Sequence, residues 1–241
     1  MNTYILYAAA ILIIHTGYGT HVKQNDGNPE LKPSTPVVID TFKSQKIEGV
    51  IWWRGQSDYY PCYIGVYKDT LFTTYSYESD MGKMYDVRTR NYRKPAEKEL
   101  SIVVDTSRLM ADYSFMIWAD NGTTTAAEAM YAYPVIVSNL SQDTLSIAQN
   151  FRIPLIMEAQ DKDGQWKPIQ VARIPQKRDK KFDATFFSPK EILITTVLLN
   201  HGTFKTKLRL RYNNILSNEY DGTIYLTQFD KEYDNSGPPK E

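Results

Sequence analysis

The chain carries few side chains suited to covalent or acid–base chemistry. Its histidines are His15, His21 and His201. The first two fall in an apolar leader and a polar spacer. A Ser-His-Asp triad or a histidine metal centre would therefore rest on His201 alone, in the turn Asn200-His201-Gly202-Thr203. No Gly-x-Ser-x-Gly, phosphate-binding Gly-rich loop or His-Glu-x-x-His occurs. Glycosidase-type carboxylates need no local spacing, so Asp58, Glu78 and Asp80 are the acids to consider for a carbohydrate-active enzyme. On balance the sequence assigns no catalytic residue, no metal ligand and no cofactor. Cys62 is the only cysteine, so no intrachain disulfide can form. With only Arg54 as a nearby upstream cation, it reads as a small buried hydrophobe. Asp161-Lys162-Asp163-Gly164 opens like a calcium loop, but position twelve is Ala172, not Glu. It reads as a hairpin turn.

Two features suit recognition better than catalysis. Trp52-Trp53-Arg54 and the tyrosines that follow form the densest aromatic stretch. Adjacent strand residues point to opposite faces, so at most one of Trp52 and Trp53 is expected in the local core. Trp52, Trp53, Tyr59 and Tyr60 are the candidate ligand residues, because flat exposed rings hold sugars and peptide side chains. The plainer reading is a Tyr-rich sheet whose hydroxyls reach water at its rim. Lys205, Lys207, Arg209 and Arg211 form a basic stripe, spaced about 6.5–7 Å apart along one strand face. That repeat could meet a sulfated or uronic glycan. Its plainer reading is a solvated face, or an edge guarded by charge.

The elements that position these residues read as strands. Residues 191–212 are expected to form two strands joined by a tight turn. Ile192 to Leu199 is aliphatic and β-branched throughout, which suits a strand covered on both faces. Residues 204–212 alternate, with Phe204, Thr206, Leu208, Leu210 and Tyr212 on one face and the basic stripe on the other. Upstream, residues 63–67 and 71–77 read as a hairpin around Lys68-Asp69-Thr70. Strands are also expected at 100–105 and 113–119. Asp120-Asn121-Gly122-Thr123 is a turn, and Ala126-Ala127-Glu128-Ala129-Met130 has a helical leaning. Downstream, strands at near-regular spacing cover 131–138, 143–148, 153–159, 165–171, 182–187 and 218–228, with a basic loop at 177–181. The fold class is all-β, with an immunoglobulin-like sandwich over 126–229 preceded by a smaller β unit over 47–125.

Residues 1–19 read as an export signal: an apolar run over 4–14, then Gly17-Tyr18-Gly19 before a cut. The run is too short to span a membrane. No basic residue precedes it. Residues 20–46 read as a polar spacer with an entry strand, and 230–241 as a disordered tail. No transmembrane segment is expected after cleavage. Lys plus Arg and Asp plus Glu number 28 each, for a net charge of zero. That balance argues against a bulk electrostatic grip on nucleic acid or anionic lipid. Tyrosine is abundant, at 18 residues against 12 glycines, which favours strands.

Three stretches carry a resemblance. These are Asn150-Phe151-Arg152-Ile153-Pro154-Leu155, Gln165-Trp166-Lys167-Pro168-Ile169 and Phe204-Lys205-Thr206-Lys207-Leu208-Arg209. Together they resemble uncharacterised secreted proteins of Bacteroidetes-type bacteria. The resemblance implies an exported β-sandwich of the cell envelope, periplasmic or at the cell surface, and assigns no activity. The expected function is a non-enzymatic binding or interaction module for glycan or peptide ligands. Its alternatives are an accessory component of an envelope assembly, with a protein partner, and a carbohydrate-active enzyme.

Overall fold

Residues 192–198 bring Ile, Leu and Val to both sides of one strand, and both sides are buried. This strand, β13 (Glu191–Leu198), sends Leu193 and Val197 into one hydrophobic core and Ile192 and Ile194 into another. The two-sided burial expected from its composition is what the computed structural model shows. The structure describes residues 35–41, 45–47, 55–57, 59–73, 93–112, 128–149, 152–172 and 184–230.

In the first sheet, β13 lies antiparallel between β8 (Glu128–Asn139) and β4 (Tyr63–Val66). Strand β6 (Leu100–Val104) pairs with the outer side of β8. In the second sheet, β14 (Phe204–Tyr212) runs between β10 (Ile156–Gln160) and β16 (Tyr220–Ile224), and β11 (Trp166–Ala172) lies beyond β10. With the orders β6-β8-β13-β4 and β16-β14-β10-β11, the chain crosses from the first sheet to the second after β8, returns to the first for β13 and crosses again to β14. This is the Greek-key arrangement of an immunoglobulin-like sandwich. Between the sheets lies one core, which includes Val135, Val137 and Leu193 from the first and Met157, Ile169, Leu208 and Leu210 from the second.

Smaller pairs close the ends and the outer face. Strand β1 (Val37–Asp40) pairs in parallel with β5 (Thr70–Thr73). Val38 and Leu71 from this pair cover Ile136, Ile192 and Ile194 on the outside of the first sheet. Strands β9 (Leu145–Gln149) and β12 (Ala184–Phe187) pair antiparallel and add Leu145, Ile147 and Phe187 to the inner core. Strands β2 (Gln45–Ile47) and β7 (Met110–Asp112) extend the pairing of β8. Strand β3 (Gly55–Ser57) lies beside β11, and β15 (Ile215–Leu216) beside β14. One break in the first sheet has a covalent cause. The Pro134 carbonyl accepts from Asp105 N at 3.0 Å. The Pro134 nitrogen therefore faces the same neighbour, and it has no hydrogen to donate. The ladder lapses there, between β6, which ends opposite Val135, and β7, which starts opposite Ala132.

Three expectations are corrected. Strands β13 and β14 do not pair with one another: the loop 200–203 carries the chain from the first sheet to the second. Strands β4 and β5 likewise lie in different sheets, so 63–77 is not a hairpin. Residues 128–130 begin β8; pairing with β2 and β7 prevails over their helical leaning. The residues on the two sides of 125/126 contribute to one core. Tyr59, Ile64, Leu100, Ile102 and Val104 share a core with β8 to β16, and all described residues fall in one compact unit, Pro33–Glu241. The strand expected at 113–119, the turn at 120–123, the basic loop at 177–181, the leader, and most of the spacer and tail lie outside the described residues.

Tyr220 gives a test of the inner core. Its ring meets that of Tyr133 edge-on, with centroids 6.1 Å apart, and its hydroxyl is buried without a hydrogen-bond partner. Burial, with Tyr59 and Tyr133 nearby, pushes its ionisation well above the usual range. An unsatisfied buried hydroxyl costs about 1–3 kcal/mol. Tyr220→Phe is therefore expected to raise stability by about 1 kcal/mol in urea melts; a loss of stability would show that the hydroxyl is satisfied in solution.

Candidate functional site

The alternation of residues 204–212 survives in the folded chain and defines the site. Leu208, Leu210 and Tyr212 are buried, whereas Lys205 and Lys207 are exposed and Arg209 and Arg211 half-buried. The basic stripe therefore lies on the outer, wet face of the second sheet. Its neighbours there come from β10, β11 and β16. Register sets Glu158 opposite Arg209, Asp221 opposite Lys207 and Thr223 opposite Lys205.

Glu158 organises one end of this face. Its side chain is only 7% exposed, and both oxygens are engaged. Arg209 Nε donates to Oε2 at 2.9 Å, and Arg211 Nε donates to Oε1 at 2.6 Å. Arg211 also donates to the Asn213 carbonyl at 3.1 Å. Held this way, the Arg209 guanidinium lies 3.9 Å from the centre of the Trp166 ring. A cation over an indole face is attracted by the ring quadrupole. The result is a guanidinium stacked on the indole on one side and tied to a carboxylate on the other.

The other end is a groove of about 700 Å³, lined by residues of β14, β16 and the β10–β11 turn. It forms where β10 stops at Gln160 while β14 continues to Phe204. Its lining includes Phe204, Thr206, Lys162, Lys205, Lys207 and Asp221. Lys207 Nζ contacts Asp221 at 2.7 Å, with both side chains well exposed. Lys162 and Lys205 have no acidic partner among the described residues.

The turn beneath Lys162 is a hairpin, as its sequence suggests. The Asp161 carboxylate accepts from the Asp163 and Gln165 backbone at 2.9 Å each and meets Lys167 Nζ at 2.6 Å. These contacts, that to Lys167 foremost, hold its ionisation below the ordinary carboxylate range. Its oxygens thus serve the turn. Gly164 sits at φ +74° in the left-handed region that glycine tolerates. No group of three His, Cys, Asp or Glu gathers as a metal site among the described residues.

The aromatic candidates divide. Tyr59 is 1% exposed and belongs to the inner core, so its ring cannot meet a surface ligand. Tyr60 is half-buried; Arg152 Nε donates to its hydroxyl at 2.9 Å, with the guanidinium carbon 5.3 Å from the ring centre. Trp52 and Trp53 lie outside the described residues, as do Asp58, Glu78 and Asp80. His201 is half-buried in the crossover loop, and its Nε2 is buried without a hydrogen-bond partner. Cys62 donates to the Ile194 carbonyl at 3.3 Å and is half-buried against the outer core. The sequence reading missed Glu158 and Trp166. The signal was present: in Ile-Met-Glu-Ala-Gln, Glu158 falls on the face opposite Met157 and Ala159, where an acid can answer a basic strand. No family model, curated protein or solved structure matches this chain.

Proposed function

We propose that the protein is an exported, non-enzymatic binding module of a cell envelope, taking glycan or peptide ligands on the wet face of its second sheet. One observation carries this reading: Arg209 is clamped by Glu158 at 3.9 Å from the Trp166 ring, directly beside a groove of about 700 Å³. Sites already rigid in the free protein lose less entropy on binding. Grooves of this size with a few fixed polar groups are typical of ligand sites. The apolar leader and the resemblance to secreted envelope proteins support the location. A glycan array and a pull-down from envelope extract test the reading. The wild type is expected to capture a ligand, and Trp166→Ala to lose at least about tenfold in affinity, the scale of a removed aromatic platform. Capture of nothing by either method would end it.

A specific observation favours a second reading, as an accessory component of an envelope assembly. Ile39 and Phe72 are register partners across β1 and β5 and are 37% and 66% exposed. Val66, at the end of β4, is 65% exposed. Exposed apolar side chains set side by side, as Ile39 and Phe72 are, suit contact with other proteins. Crosslinking to a partner through a photoreactive residue at Phe72, with none through Trp166, would move the function to that face.

A further inference from the structure

We infer that the groove between β16 and the β10–β11 turn takes an acidic glycan, whose carboxylates are held by Lys162 and Lys205. The inference rests on the binding-module reading and names its ligand class. Charge comes first. Asp161 is committed to Lys167, and Asp221 to Lys207. Lys162 and Lys205 then leave a net excess of positive charge at the groove, which zero net charge over the whole chain makes local. The Lys207–Asp221 pair is exposed on both sides, at 45% and 87%. Exposed pairs contribute little, so an incoming carboxylate can take Lys207 from Asp221. Lys205 and Lys207 are two residues apart on one strand face, about 6.5–7 Å. They present a repeat of positive charge rather than a single point.

The choice between sugar and peptide follows from the backbone. A peptide would bind this sheet most simply by adding a strand, which needs free main-chain groups. Where β10 ends, one such group is already taken: the Gln160 carbonyl accepts from Thr206 Oγ1 at 2.6 Å. Among the residues that line the groove, Gln160 offers an amide suited to sugar hydroxyls, and the lysines offer cations suited to carboxylates.

Calorimetric titration of the purified protein with an oligogalacturonate, its methyl ester and a polyglutamate peptide tests this. The acid sugar is expected to bind, more weakly as salt rises, and the neutral ester to bind at least about tenfold more weakly. Lys162→Ser with Lys205→Ser should weaken acid binding by about tenfold or more. Asp221→Asn, which frees Lys207, should strengthen it by about two- to fivefold. These are surface positions, and unchanged melting curves will show that the variants fold. The inference is overturned if ester and acid bind alike, if the double variant binds the acid as the wild type does, or if polyglutamate binds as tightly as the sugar acid. A neutral sugar that binds and is lost in Trp166→Ala would sink this inference and leave the binding module standing. Failure of all probes here and of the array and pull-down would remove both.

Discussion

Gly202→Ala is expected to be the most destabilising of the glycine substitutions, and the reason is contact with backbone. A Cβ at Gly202 would stand 2.0 Å from the Ile224 carbonyl carbon, 2.3 Å from its oxygen and 2.5 Å from Tyr225 N. None of these atoms can swing away as a side chain can. Either the crossover from β13 to β14 lifts, or the end of β16 shifts and strains its pairing of Phe204 with Ile224. Overpacking of well-filled sites costs about 1–3 kcal/mol, occasionally more. With three backbone atoms in the way, a loss of about 3 kcal/mol or more is expected. Two other glycines calibrate the result. Gly222→Ala meets Leu208 Cδ1 at 2.3 Å, the movable end of a side chain, and should cost less. Gly164→Ala meets nothing within 4 Å and is strained only by its positive φ, at about 1–2 kcal/mol. Chemical melts of the three variants should rank Gly202 as the most damaging. A Gly202→Ala protein as stable as the wild type would show that the crossover does not press against β16.

Glu158→Ala is expected to be the most damaging change on the wet face. It removes the one acid that both Arg209 and Arg211 face. Arg209 is 16% exposed and Arg211 31%, so neither guanidinium regains full hydration when the acid is lost. Breaking a buried pair from one side costs about 3–5 kcal/mol. The partial exposure of Arg211 places the expectation near the lower bound, about 3 kcal/mol. Replacing all three, as Glu158→Leu with Arg209→Met and Arg211→Leu, should recover most of that loss, because no unpaired charge remains. Denaturant melts of single, double and triple variants give the coupling directly. Near-additive losses would show that the three side chains act separately.

Local sequence told strand from loop well and told strand partners poorly. The apolar run of β13 marked a strand with two dry faces, and the alternation of β14 marked one with a single dry face. Asp161-Lys162-Asp163-Gly164 marked the β10–β11 hairpin, because its Asp and Gly make the turn's own hydrogen bonds. Asn200-His201-Gly202-Thr203 looked like another hairpin. A four-residue loop, however, can return to the same sheet or cross to the facing one, and only packing decides. Here the absence of a Cβ at Gly202 lets the loop press on Ile224 and cross. That residues before and after 125 share a core was hidden for a related reason. Strand β4 enters the sheet beside β13, more than a hundred residues later in the chain, and no local pattern announces such a partner. The candidate site was half legible. The basic stripe was visible as a period of two. Its neutralisation by Glu158 and Asp221, and the two lysines left over, depend on register across β10, β14 and β16.

The account holds that ligands meet the wet face of β14 and its neighbours. Nuclear magnetic resonance mapping tests this most directly, with isotope-labelled protein titrated with whatever glycan or peptide the array or pull-down returns. The expected shifts gather on the Trp166 indole, Lys162, Lys205, Lys207 and Thr223, and leave Ile39 and Phe72 unchanged. Shifts confined to β1 and β5, with Trp166 and the lysines unmoved, would contradict it.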